Sequence, residues 1–110
     1  MASAPGYTVW GVINPNGTIQ QGSSANFTVA STQTGVYTIT FNPPFVNPPA
    51  IVATQCQFDS APGTPINESP SDGVACPQVT ASNATVVTGN STGAWTARTF
   101  SFVAMGSLGS

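Results

Sequence analysis

An all-β, antiparallel β-sandwich is the fold class this sequence predicts, and three observations predict it. Apolar residues recur with a period of two, no segment shows the 3.6-residue apolar period of a helix, and turn residues interrupt the chain at short intervals. A chain of 110 residues fits one domain, and a domain of that size buries roughly two-thirds of its unfolded surface. With 40% hydrophobic residues it holds enough apolar material for a core. About six to nine short strands are expected in two packed layers. The domain is expected over residues 7–106, after a flexible segment over 1–6 and before a flexible tail over 107–110.

The first strand is expected over Tyr7–Ile13, ending at the turn Asn14-Pro-Asn-Gly17, whose Asn-Gly suits positive φ. Thr18–Gln20 is short and is expected to pair back. After the loop Gly22–Ser24, the segment Ala25–Ala30 alternates, with Phe27 and Val29 on one face. A hairpin turn at Gln33–Gly35 leads into the clearest strand, Val36–Phe41. There Tyr37, Ile39 and Phe41 face one way, and Thr38 and Thr40 the other. The stretch Asn42–Pro49 carries four prolines and must leave the ladder, since proline has no N–H to donate. Ala50–Phe58 is rich in β-formers. Asp59–Gly73 is a long loop rich in Pro, Gly and Ser, either functional or clipped by a cross-link. Val79–Ala81 and Thr85–Thr88 give a further strand region, and Gly89–Gly93 a turn. Ala94–Met105 closes the domain as strand, with Phe100, Phe102 and Ala104 on one face.

Charge is the unusual feature. Only 4% of residues are charged, against about 25% in a typical globular domain. Arg98 is the sole strong cation, the acids are Asp59, Glu68 and Asp72, and histidine and lysine are absent. One arginine cannot neutralise a run of phosphates, so no nucleic-acid partner is expected. The same lack removes a polybasic membrane patch, and no apolar stretch approaches the roughly 20 residues that span a bilayer. A surface made of Ser, Thr, Asn and Gln offers little repulsion between copies, so copies of the chain are expected partners. Met1–Gly6 has neither a charged start nor an apolar stretch, so no signal peptide is expected there. An extracellular or virion-surface location then implies a leader already removed or export within a particle.

The same inventory excludes most catalysis. Without histidine or lysine the usual bases that activate a nucleophile are missing. The three acids lie in one Pro/Gly/Ser-rich loop, whereas paired catalytic carboxylates need a rigid scaffold and a cleft. No enzyme activity, cofactor or resident metal is therefore expected. Asp59, Glu68 and Asp72, with Asn67 and loop carbonyls, form a hard-oxygen set that calcium would accept, but their spacing fits no calcium loop; a solvated acidic loop is the alternative. Cys56 and Cys76 are expected to form a disulfide, worth about 3 kcal/mol in the chain-entropy account. Two buried free thiols are the other reading, and a zinc site lacks the remaining ligands.

Arg98, a lone cation on the expected last strand, should find an anion. Asp59, Glu68 and Asp72 are the candidates, within one chain or across a subunit interface; clamping a ligand is the alternative role. Trp10, Trp95, Tyr7 and Tyr37 offer aromatic faces that suit the C–H faces of sugars, although aromatics at alternating strand positions also serve cores and interfaces. The candidate ligand-binding residues are Asp59, Asn67, Glu68, Asp72, Trp95 and Arg98. Asn-x-Ser/Thr sequons begin at Asn16, Asn26, Asn67, Asn83 and Asn90.

The run Gly35-Val-Tyr-Thr-Ile-Thr-Phe-Asn-Pro-Pro-Phe-Val-Asn-Pro-Pro-Ala-Ile-Val-Ala-Thr54 resembles small β-sandwich modules of bacterial surface proteins, phage tail fibres and H-type lectins. These share a Tyr-x-Ile-x-Phe strand, a proline-containing link and an apolar strand. The closing Arg98-Thr-Phe-Ser-Phe-Val-Ala-Met-Gly106 is similar to their final strand, and Trp10–Ile19 followed by Phe27-Thr-Val29 fits the bacterial versions. The resemblance implies a jelly-roll or H-type-lectin-like sandwich, often trimeric, with some members binding carbohydrate. H-type lectins use an aromatic residue and a histidine in loops just before the last strand. Here Val87–Gly93 holds neither, so that sugar site does not carry over. The expectation is a non-enzymatic surface module that self-assembles and contacts glycan or a host surface. The alternative is a structural subunit of a filament, appendage or capsid decoration.

Overall fold

The computed structural model of the chain describes residues 4–56 and 71–108. Its strands are β1 (Ala4–Ile13), β2 (Phe27–Gln33), β3 (Val36–Phe41), β4 (Ala50–Gln55), β5 (Val74–Val79), β6 (Asn83–Thr88) and β7 (Phe100–Leu108). They form a three-stranded sheet in the order β1-β7-β4 and a four-stranded sheet in the order β2-β3-β6-β5, with antiparallel neighbours throughout. The two sheets pack face to face as a β-sandwich. Along the chain, single strands of the first sheet alternate with hairpins of the second. The crossings between sheets are therefore the places where the ladder must stop.

Period-two patterning sets the inner faces. Tyr37, Ile39 and Phe41 of β3 are buried, as are Ala84 and Val86 of β6. From the other sheet come Val9 and Ile13 of β1 and Phe100, Phe102 and Ala104 of β7. Aromatic rings lock the layers: Phe27 meets Phe102 edge to face at 5.1 Å, and Tyr37 tilts against Phe100 at 5.1 Å. The buried Tyr37 hydroxyl keeps a partner by donating to the Pro15 carbonyl at 2.8 Å.

The proline-rich crossing behaves as its composition dictates. Between β3 and β4 the chain leaves the ladder, and Phe45 inserts as a plug, meeting Phe41 edge to face at 5.0 Å and Tyr7 at a tilt at 4.7 Å. The peptide bond Asn42–Pro43 is cis, and the Pro43 carbonyl accepts from the Tyr7 hydroxyl at 2.7 Å. Ile19 bridges back to Ile13, as expected of the short Thr18–Gln20 segment.

Several strand boundaries differ from the sequence reading, at the two termini and around β5 and β7 most of all. β1 begins at Ala4 and β7 runs to Leu108, with Ala4 paired to Leu108 across a register shift, so ordered pairing extends past the expected limits of 7 and 106. A strand starts at Val74 despite Pro77. Its sheet position explains this: β5 is an edge strand, and the pairing with β6 shifts between Ala75 and Gln78, so no ladder donor is demanded of Pro77. The last strand starts only at Phe100, because residues 94–99 form an irregular segment tied to β6 by a bridge from Trp95 to Gly89. Arg98 thus precedes the final strand rather than lying on it.

Candidate functional site

At one end of the sandwich a shallow groove of about 270 Å³ opens between the start of β5, the end of β6 and the segment leading to β7. Ser71, Gly73, Val74, Gly89, Asn90 and Trp95 contribute to its walls. The turn after β6 shapes one side. Asn90 Oδ1 accepts from the Thr92 amide at 2.9 Å, the Thr92 hydroxyl at 2.7 Å and the Ala94 amide at 3.1 Å, while the Asn90 amide donates to the Ala94 carbonyl at 3.0 Å. One asparagine side chain thereby folds the turn back on itself and delivers Trp95 to the rim. The Trp95 side chain is left 57% exposed.

The segment carrying Trp95 is pinned from below. Thr96 donates its amide to the Thr88 carbonyl at 3.0 Å, and the buried Thr88 hydroxyl returns a bond to the Thr96 carbonyl at 2.6 Å. Gly35, in the β2–β3 turn, lies directly underneath with φ of +76°, and its carbonyl accepts from the Thr88 amide at 2.8 Å. A Cβ there would stand 2.8 Å from the Thr96 nitrogen and 2.9 Å from the Thr88 oxygen, so only glycine fits both the conformation and the space.

Arg98 Nη1 donates to Asp72 Oδ2 at 2.9 Å. The Asp72 side chain is 3% exposed and that of Arg98 20%. Asp72 sits between the groove residues Ser71 and Gly73, and Arg98 follows Trp95 on the same segment, so the ion pair braces one groove wall against the other. Of the three expected acids, Asp72 makes this pair within one chain. Asp59, Asn67 and Glu68 lie outside the described residues. The structure therefore brings together Asp72, Trp95 and Arg98 from the expected ligand-binding set.

Sequence reasoning missed Gln55. Its Nε2 donates to the Gly73 carbonyl at 2.8 Å and the Gly89 carbonyl at 2.6 Å, joining the first sheet to both strands that frame the groove. Its Oε1 is buried without a hydrogen-bond partner. The signal was available: Ile51, Ala53 and Gln55 share the inward face of β4, and a polar residue at an inward position needs a partner. Asn90 was read only as a turn residue and sequon.

The expected disulfide is not formed: Cys56 and Cys76 are both free thiols. Their placement gives the reason. Cys56 Sγ lies 3.8 Å from Ser101 Oγ, on the side of β7 opposite the buried Phe100 and Phe102. Cys76 packs against the core from the other sheet, and burial pushes its thiol above the ordinary range. The two sulfurs face different environments across a sheet.

Chemically the groove offers an exposed indole, the apolar side chains of Val74, Ala75 and Val87, and neutral hydrogen-bonding groups from Ser71, Asn90 and the backbone, while the Arg98–Asp72 pair lies beside it and outside its lining. Among the described residues no group of three or more His, Cys, Asp or Glu side chains comes together. Comparison with protein-family models, curated proteins and solved structures returns no match. The likeness to tail-fibre and lectin modules accordingly rests on the strand spacing in the sequence.

Proposed function

We propose that the chain is a non-enzymatic surface module, extracellular or on a virion, that assembles as a trimer and contacts carbohydrate through the groove at Trp95. The observation that carries this reading is Trp95 itself, 57% exposed over a groove that Val74, Ala75 and Val87 line together with Ser71, Asn90 and glycine backbone, on a segment braced by the Arg98–Asp72 pair. An open indole face suits the C–H face of a sugar ring, and Ser71, Asn90 and the backbone suit its hydroxyls. The sequence holds no aromatic within Val87–Gly93; Trp95, one of its candidate sugar-stacking aromatics, follows two residues later.

Magnitudes favour assembly. A hexose of about a dozen heavy atoms, at about 0.3 kcal/mol each, gains about 4 kcal/mol, which is a Kd of about 1 mM. Linked copies of such a site raise apparent affinity by about 100-fold or more when their spacing matches the target. A glycan array probed with the labelled chain and with Trp95→Ala tests the reading. We expect a defined group of saccharides to bind the parent and not the variant, with thermal unfolding unchanged because the side chain is exposed. An assembled parent that binds no saccharide would sink the carbohydrate part.

A second reading, a structural subunit of a filament, appendage or capsid decoration, is favoured by one observation: Val52, on the outer face of the first sheet, is 72% exposed. Long polymers in electron micrographs together with a blank glycan array would select it.

A further inference from the structure

The floor of the groove is apolar, and the strand register shows why. Ala75 of β5 pairs with Val87 of β6. Val86 and Thr88, on either side of Val87, are fully buried, and Cys76, next to Ala75, packs against the core. Alternation therefore turns Ala75 and Val87 to the outer face of the sheet. Gly89 stands two residues beyond Val87 on that face and bridges to Trp95. Residues paired across a ladder share a face, and diagonal neighbours lie about 7–8 Å apart. The Trp95 indole and the Val87 side chain thus project from the same side, with no side chain at Gly89 to intrude between them.

We infer that the groove takes a neutral sugar that carries a methyl group, a 6-deoxyhexose or an N-acetylhexosamine, with its ring on the Trp95 indole and its methyl on the Ala75–Val87 pair. Resting on the carbohydrate reading above, this names the class of sugar. Three observations carry it. First, the side chains of Ala75 and Val87 offer no hydrogen bond. A hydroxyl set over them loses water without gaining a partner, whereas a methyl gains by burial there. Second, the chain has a single Lys or Arg, and that residue, Arg98, already donates to Asp72 at 2.9 Å. A sugar carboxylate would enter the groove with no unengaged side-chain cation to meet it, which disfavours sialic and uronic acids. Third, the groove's volume of about 270 Å³ lies just under the roughly 300–1,000 Å³ of sites for drug-sized ligands, so it suits one sugar residue with a substituent.

The polar wall orients the ring. Asn90 Oδ1 is committed to the Thr92 amide, the Thr92 hydroxyl and the Ala94 amide, so Asn90 meets a ligand as a donor, through Nδ2. That donor suits a ring hydroxyl of either class of sugar, or the acetamido oxygen of the second.

The test is a titration followed at the Trp95 indole N–H signal by nuclear magnetic resonance, the signal being assigned by its loss in Trp95→Ala. The sugars are matched around the methyl group. L-Fucose is set against L-galactose, which differs from it only by a hydroxyl at carbon 6, and N-acetylglucosamine against glucose. In at least one pair the methyl sugar should bind about 4- to 10-fold more tightly, the worth of one methyl at a shallow apolar site, and the pair that shows it identifies the source. Val87→Thr puts a hydroxyl in place of a methyl at nearly the same shape. It should bring that ratio to about 1 and leave the weaker sugar's affinity unchanged, with the parent's far-ultraviolet circular dichroism. Should Val87→Thr fail to fold, Ala75→Ser, at an exposed position, makes the same test. N-acetylneuraminate should bind more weakly than the preferred methyl sugar. Absence of any saccharide binding overturns the carbohydrate reading and this inference together. Equal affinities within both pairs, a preference that survives both Val87→Thr and Ala75→Ser, or N-acetylneuraminate bound as tightly as the methyl sugars overturns the inference alone.

Discussion

Replacing Arg98 by alanine would leave the Asp72 carboxylate, 3% exposed, without the guanidinium that faces it at 2.9 Å. Breaking a buried pair by removing one partner typically costs about 3–5 kcal/mol; with the Arg98 side chain 20% exposed, the lower end is expected here. Chemical denaturation of Arg98→Ala, Asp72→Ala and the double variant checks this. The double variant should be less destabilised than the sum of the singles, and strict additivity would mean that the pair carries no coupling. The cysteines give a second residue-scale test. Thiol titration in denaturant without reductant should count two free thiols per chain, since neither is oxidised. In the native protein Cys76 should alkylate slowly and become reactive only at a pH above the ordinary thiol range, because burial raises its pKa. The sign for stability follows. A raised folded value means that this contribution is fully present below the ordinary thiol pKa and is lost as pH rises through the raised value.

The β2–β3 hairpin and the segment before β7 depend on each other. Gly35 supplies positive φ and, by lacking a Cβ, lets the backbones of Thr88 and Thr96 close over it. Gly35→Ala is expected to cost about 3 kcal/mol or more, the strain of a left-handed alanine adding to a backbone clash. Differential scanning calorimetry measures it, and a loss below 1 kcal/mol would contradict the close approach. A related effect should reach the groove, since Trp95 rides on the segment that Gly35 supports. At the same scale, Gln55→Leu removes the donor shared by the Gly73 and Gly89 carbonyls and should destabilise by about 1–3 kcal/mol. Strand identity at this scale was largely legible. Val36–Phe41 needed only alternation, with Tyr37, Ile39 and Phe41 buried as expected. β5 was not legible, because Pro77 reads locally as a strand breaker and becomes tolerable only at a sheet edge beside a register shift.

For the whole molecule, the groove at Trp95 lies away from Val52 on the outer face of the first sheet, so if copies of the chain assemble through that face, carbohydrate binding and assembly should separate. Val52→Lys leaves Trp95 untouched and should keep single-site carbohydrate affinity while losing the gain from linked sites. Surface plasmon resonance at low and high glycan density reads the difference: the variant should match the parent at low density and fall well below it at high density. Equal retention at both densities would show that assembly contributes nothing to binding.

Period-two patterning, dense turns and the prolines of the 42–49 link determined a β-sandwich by themselves, because burying one side of a strand requires only that every second residue be apolar. The scarcity of charge likewise followed from composition. Only the tertiary structure shows that Asp72 meets Arg98, since position along the chain does not single it out among the three acids. It also decided that Cys56 and Cys76 face different environments, which a separation along the chain cannot tell. The apolar row on the outer face of the first sheet is the clearest case. Trp10, Val52 and Val103 each look like ordinary strand residues, and they become one continuous surface only when the register of β1, β7 and β4 sets them side by side.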